Sequence, residues 1–168
     1  NAHGARDAYA GVYGLDPAQV RVVAPDVGGG FGPKIGVGAE ELLLPWLARH
    51  AGRPVRWVET RSENMVAMVH GRGQVQAVEI GGRRDGTVLA YRLSVLQDAG
   101  AYPAMGALLP FMTRMMAAGT YDIPRVECNT TSVVTNTTPT GAYRGAGRPE
   151  ATAAIERAFD LFAAETGA

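Results

Sequence analysis

Cysteine is nearly missing from this 168-residue sequence, in which Cys128 stands alone. That excludes an internal disulfide framework and a cysteine-rich metal site. Neither charge sign is in excess, with 16 Lys plus Arg set against 16 Asp plus Glu. Such a chain lacks the basic surplus from which nucleic-acid affinity largely comes. No apolar run approaches the roughly 18 residues that read as a membrane span. The three histidines, His3, His50 and His70, share no metal-ligand spacing. A starting Met, a signal peptide and a transit sequence are also missing. The expectation is a fragment of a longer protein, with any targeting signal outside these residues and the cytoplasm as its compartment, the periplasm left open.

What is present is ample apolar material and much glycine. Hydrophobic residues make up 46% of the chain and charged residues 19%. A core can therefore be buried, and disorder is not expected. Twenty-two glycines and ten prolines imply many turns and close backbone approaches. Residues 4–13 are helix-like and end at Gly14, and Asp16-Pro17 turns the chain. Val20–Ala24 (VRVVA) and Val55–Glu59 (VRWVE) read as short strands. Between them Ala39–Ala51 is an apolar-faced helix opened by Glu40 and Glu41, with Pro45 inside it marking a kink or a later start. Thr60–Met68 is expected to be a polar turn.

Alternation over 74–80 and 87–97, with Asp85-Gly86 between, predicts a hairpin. It places Val75, Ala77 and Glu79 on one face. Gly106–Ala118 reads as a helix whose Met105, Met112, Met115 and Met116 fill core gaps. Arg125–Thr135 reads as a strand holding Cys128 as a buried thiol. Pro149–Ala164 is an amphipathic helix with Ile155, Phe159 and Phe162 on its apolar face. The order predicts an α+β fold of two layers, with a mixed sheet, a β-hairpin and packed helices.

Two glycine-rich stretches carry the chemistry. Asp26–Lys34 (DVGGGFGPK) runs from an expected strand toward a helix. Its glycines permit positive φ and let a ligand touch bare backbone, whose N–H groups cradle anionic oxygens. It is not a phosphate-binding Walker loop, because Lys34 is not followed by Ser or Thr. Nor is it a dinucleotide fingerprint, since Pro33, Lys34 or Ile35 stands where the third glycine is required. Thr140–Glu150 (TGAYRGAGRPE) is the second stretch. Two arginines, Arg144 and Arg148, flank glycines beside a helix start, an arrangement able to hold an anion. The plain alternative for each is a connecting turn, with the arginines in structural ion pairs.

Taken together, VRVVAPDVGGGFGPK, ARHAGRPVRWVETRSENM, LQDAGAY and GAYRGAGRPEATAAIERAFDLFA resemble the molybdenum hydroxylases: xanthine dehydrogenase, aldehyde oxidase and the aerobic carbon monoxide dehydrogenases. The resemblance is collinear over essentially the whole chain. It implies a fragment, residues 1–168, of the molybdopterin-binding region of a large catalytic subunit. The implied cofactor is a molybdenum-bearing pterin, alone or as its cytosine dinucleotide. Iron–sulfur centres on a small subunit and FAD on a medium subunit carry the electrons away. Gly29, Gly30, Phe31 and Gly32 match the loop beneath the metal, and Arg144 matches an arginine near the substrate pocket. Gly145 matches a loop position beside the cofactor.

Departures from the family pattern narrow the substrate. Where purine-using members carry a Glu after the loop Lys, this chain has Ile35. Where copper-dependent carbon monoxide dehydrogenases carry a Cys after Tyr-Arg, it has Gly145. AYRGAGR looks like the carbon-monoxide-dehydrogenase-like variant group, whose substrates are largely unassigned. The family's catalytic Glu is expected outside these residues, and Glu150 is expected to serve the helix dipole. An aldehyde or N-heterocycle is the expected substrate class, with carbon monoxide dehydrogenase-like activity as the alternative within the family. The rival from another class is a non-enzymatic α+β module that binds a phosphate-bearing ligand through its glycine loops.

Overall fold

The computed structural model describes residues 1–168, which divide into two compact units, Asn1–Met68 and Val69–Ala168.

The first unit is helical. Helix α1 (Ala2–Tyr13) is capped by the Asn1 side chain, which accepts from the Gly4 N–H, and ends at Gly14 with φ 62°. Both ends follow from sequence, an Asn before the helix and a glycine free to turn left-handed after it. Helix α2 (Ala39–Ala51) runs unbroken through Pro45. The Tyr13 hydroxyl sits in the rung next to that proline, donating to the Leu42 carbonyl and accepting from the Trp46 N–H at 3.2 Å. Helix α3 (Arg61–Ala67) replaces the expected polar turn. Thr60 caps it, and Glu63 reaches back to the Thr60 N–H at 2.7 Å. This reciprocal cap was legible as T-R-S-E.

The two strands expected at 20–24 and 55–59 do not form, and both stretches are irregular. β-branched residues favour a pleated surface only when a neighbouring strand supplies the ladder. All three strands of the sheet belong to the second unit. Ala10 is the one buried apolar residue of the first unit.

The second unit is the α+β half. Strands β1 (Gln74–Gly82) and β2 (Val88–Asp98) form the expected hairpin, and β3 (Arg125–Val133) pairs parallel to β2, making a mixed sheet of order β1-β2-β3. Helices α4 (Leu109–Met115) and α5 (Arg148–Thr166) complete the unit. Tyr91, Leu93 and Val95 alternate on the inner face of β2 and meet Ala154, Ile155 and Ala158 of α5. Each large apolar side chain buried there stabilises by about 1.5–3 kcal/mol.

Val75, Ala77 and Glu79 do share a face, but it is the exposed one, and Gln74, Gln76 and Ile80 point inward. The methionines depart from expectation too. Met105 and Met115 are exposed, and Met112 and Met116 are half-buried. Cys128 is partly buried against the core rather than sealed, and its surroundings push the thiol pKa up by desolvation. Tyr91 is pushed up to about 12 by burial, with its hydroxyl lacking a hydrogen-bond partner.

Candidate functional site

In the first unit the glycine loop forms a tight turn. The Ile35 N–H donates to the Gly32 carbonyl at 3.0 Å, and Lys34 N–H reaches the Gly30 carbonyl at 3.4 Å. Gly29 has φ 120° and Gly32 φ 105°, values that L residues rarely adopt. Phe31 is itself left-handed, at φ 51°, and its ring folds over Gly29, where an added Cβ would lie 2.8 Å from the ring. Residues 23–31 are all exposed, and a Cβ on Gly28 would meet nothing within 4 Å. Lys34 pairs with Glu59 at 3.4 Å, and Glu59 also accepts from Asn64. The predicted residues Gly29, Gly30, Phe31 and Gly32 thus lie in one bare, outward-facing turn.

In the second unit the loop before α5 is strained. Arg144, Gly145, Ala146 and Gly147 follow one another at φ 21°, 93°, 24° and 82°. Outside glycine, such values cost on the order of 1–2 kcal/mol per residue. A compensating set of contacts holds them. The Tyr143 carbonyl accepts from the Ala146 N–H at 2.9 Å. The Gly145 carbonyl accepts from Arg148 Nη1 at 3.0 Å. Gly147 lies so close to α4 that a Cβ would stand 2.7 Å from both Met112 Cβ and the Thr113 backbone nitrogen. Gly147 then opens α5, with Pro149 in its first turn.

The residue that sequence reading missed is Arg72. Its Nη1 donates to the Tyr143 carbonyl at 3.0 Å and its Nη2 to the Arg144 carbonyl at 3.2 Å. Nη1 also lies 3.3 Å from Glu150 Oε2, and the guanidinium covers the Tyr143 ring at 5.3 Å. Glu150 is therefore more than a partner of the helix dipole: its buried carboxylate is an anchor for Arg72.

Beneath this loop the core turns polar. Gln97 continues the inward row of Tyr91, Leu93 and Val95 and is fully buried. Its amide nitrogen donates to the Arg72 carbonyl at 2.9 Å and to the Asp98 carbonyl at 2.6 Å, and its oxygen accepts from Gln74 at 2.9 Å. Gln74 also donates to Thr113, and Gln76 donates to the Glu150 carbonyl. A glutamine in phase with a core row is the signal that could have located this region from sequence. At the loop entry, the Asp98 carboxylate accepts from Thr135, Thr137 and the Gly100 N–H. These bonds, that from Thr135 first, lower its pKa.

The chemistry offered is backbone amides, guanidinium groups and bare glycine surface. No group of three or more His, Cys, Asp or Glu able to hold a metal ion occurs. The residues present fit a group that brings its own metal ligands and needs only hydrogen bonds and room for close approach.

Comparison with known proteins agrees with that donor set. The model of the molybdopterin cofactor-binding domain matches residues 1–168, and the chain belongs to that family. The chain is 36% identical over 168 residues to the 6-hydroxypseudooxynicotine dehydrogenase complex subunit gamma of Paenarthrobacter nicotinovorans, covering 99% of this chain and 21% of that protein. It is 38% identical over 154 residues to the carbon monoxide dehydrogenase large chain of Hydrogenophaga pseudoflava, covering 89% and 19%. Among solved structures, quinoline 2-oxidoreductase from Pseudomonas putida 86 superposes with a TM-score of 0.90 at 34% identity, covering 99% of this chain and 22% of that one. The chain spans about a fifth of the length of the curated relatives it matches. No helix is long and apolar enough to cross a membrane.

Proposed function

We propose that residues 1–168 are part of the molybdopterin-binding region of the large subunit of a molybdenum-dependent hydroxylase. The observation that carries the reading is the strained loop Arg144–Gly147, held open against α4 and Arg72 in a chain that matches the cofactor-binding family throughout. Bound molybdopterin would supply two-electron oxidation at the metal. Gly29, Gly30, Phe31 and Gly32 would offer bare backbone to it from the first unit. In the second unit Gly145 would let it approach the backbone, and Arg144 would stabilise charge developing on the substrate. Electrons would leave through an iron–sulfur small subunit and an FAD medium subunit, which together with the rest of the large subunit are the partners of this reading.

An N-heterocycle or an aldehyde is the substrate class. A nicotine hydroxylase and a quinoline oxidoreductase stand among the relatives, which supports the heterocycle. The carbon monoxide reaction has support in the large chain named above, but copper(I) prefers soft sulfur ligands. Gly145 has no side chain, and the one thiol is in strand β3, partly buried and with its pKa raised.

The test is metal and pterin analysis of the purified full-length protein, beside dye-linked oxidation of N-heterocycles, aldehydes and carbon monoxide. Stoichiometric molybdenum without copper, with heterocycle or aldehyde oxidation, is the expected result. Absence of molybdopterin would refute the reading. Stoichiometric copper with copper-dependent carbon monoxide oxidation would refute the substrate class.

A further inference from the structure

The Arg72 side chain faces three acceptors that lie 71 to 78 residues away in sequence. Two are successive carbonyls at the start of the strained run, Tyr143 and Arg144, and the third is the buried Glu150 carboxylate. A planar guanidinium fork fixes direction as well as distance, which a lysine ammonium does not. All peptides of the chain are trans, so each N–H points opposite to the carbonyl of its own peptide unit. Holding the Tyr143 and Arg144 carbonyls on Arg72 therefore turns the N–H groups of Arg144 and Gly145 away from the guanidinium. Successive N–H groups turned to one side form an anion-binding concavity.

The fork is itself fixed. Arg72 has φ 75° and is followed by Gly73 at φ 69°. Its carbonyl accepts from fully buried Gln97, while Gln76 holds the Glu150 carbonyl. Both ends of the Arg72–Glu150 pair are thus tied to the same glutamine network through Gln74.

We propose that Arg72 is the positioning residue of the Arg144 loop, aiming the Arg144 and Gly145 amides at anionic groups of the bound pterin cofactor. The proposal rests on the functional reading above. Its test uses the full-length holoenzyme with R72A, R72K and E150Q, and R83A at the exposed hairpin tip as control. Three quantities are read: amide hydrogen exchange over 143–151 and over β2, molybdenum and pterin content, and the electron paramagnetic resonance signal of the bound molybdenum.

In R72A, exchange over 143–151 should rise about 10-fold with β2 unchanged. Cofactor retention should fall about 10-fold, the lower range for loss of a supporting partner. The resonance signal should shift in whatever fraction stays loaded. R72K should restore little, because one ammonium cannot span two carbonyls and a carboxylate. E150Q should shift the signal in the same direction, more weakly, and decides the matter if R72A does not fold. R83A should match the wild type. An unchanged signal in folded R72A or in E150Q overturns the proposal, even where exchange rises, because the clamp is then structural only. A wild-type protein without molybdopterin refutes the functional reading instead, and the exchange arm still reports whether Arg72 orders the loop.

Discussion

The two glycine-rich loops read alike in sequence, each leading toward a helix and each with a basic residue, yet they are fixed by different means. The first, over 26–38, is held by bonds inside its own turn and by exposed side chains, the Asn1 amide donating to the Ile35 carbonyl at 3.3 Å and Lys34 pairing with Glu59. Its unit buries one alanine, and its helices owe their ends to adjacent caps. The second, over 136–147, is held by groups distant in sequence: Arg72, α4 and a floor of buried glutamines. A loop closed by its own turn and a few exposed side-chain contacts presents backbone freely and tolerates change. A loop held by remote contacts keeps a strained conformation that its own residues would abandon. In this family reading the strained loop is the one that carries the reacting-site arginine.

The strongest way to break that contrast is to remove the arginine alone. Arg144→Ala in the full-length enzyme should lower kcat by roughly 10²–10³, the usual loss of a group aimed at developing charge. Molybdenum content should stay near the wild-type level. A collapse of metal content with proportionate activity would make Arg144 a cofactor anchor or a structural residue. Next in size is a pair of glycines. Gly147→Ala puts a methyl against α4 at φ 82°, so overpacking and backbone strain together should cost about 2–4 kcal/mol. Gly28→Ala meets nothing within 4 Å and should change stability by less than about 0.5 kcal/mol. Thermal unfolding of the two variants checks the difference, and equal losses would dissolve the distinction between the loops.

A smaller effect probes the local side of the comparison. Thr60→Ala removes the hydroxyl that accepts from the Glu63 N–H at 3.3 Å. Loss of such a cap costs about 1 kcal/mol, and it should appear as faster exchange confined to α3. Spread into residues 69–168 would show that the first unit is not held by its own caps.

The same division decides what the sequence disclosed. Features set by neighbours within four residues were readable: Gly14 as a helix end, the Asp85-Gly86 hairpin, Pro149 at the start of α5. The Thr60–Glu63 cap belongs to that group as well, although the polar composition of its stretch favours a turn. Features set by distant partners were not readable. VRVVA and VRWVE have strand composition but gain no ladder. Arg72 has no sequence mark, since its meaning lies in Tyr143, Arg144 and Glu150. Positive φ at Arg144 and Ala146 is equally hidden, because neither residue favours it. The family resemblance points to this loop but says nothing of what holds it.

The smallest predicted effect concerns acid, and it acts separately on the entry of the second loop and on the start of α3. Asp98 closes the entry of the second loop, its carboxylate accepting from Thr135 at 2.7 Å, Thr137 at 2.9 Å and the Gly100 N–H at 2.8 Å. These bonds favour the charged form and lower its pKa, the Thr135 bond most. A carboxyl whose folded pKa lies below its unfolded value binds fewer protons folded than unfolded. Its stabilising contribution is whole above the ordinary Asp value of about 3.9 and fades as pH falls through that value toward the lower folded one. Glu63 in the first unit follows the same sign, lowered chiefly by the Thr60 backbone N–H, but acts only on the start of α3. Acidification from pH 6 to pH 3 should therefore loosen two separate places, 135–141 and 60–67. Protection factors, corrected for the intrinsic pH dependence of exchange, would report each. Asp98→Asn should remove the acid response at 135–141 and leave that at 60–67, and Glu63→Gln should do the reverse. An acid response at 135–141 that survives Asp98→Asn at full size would mean that another group holds the loop entry.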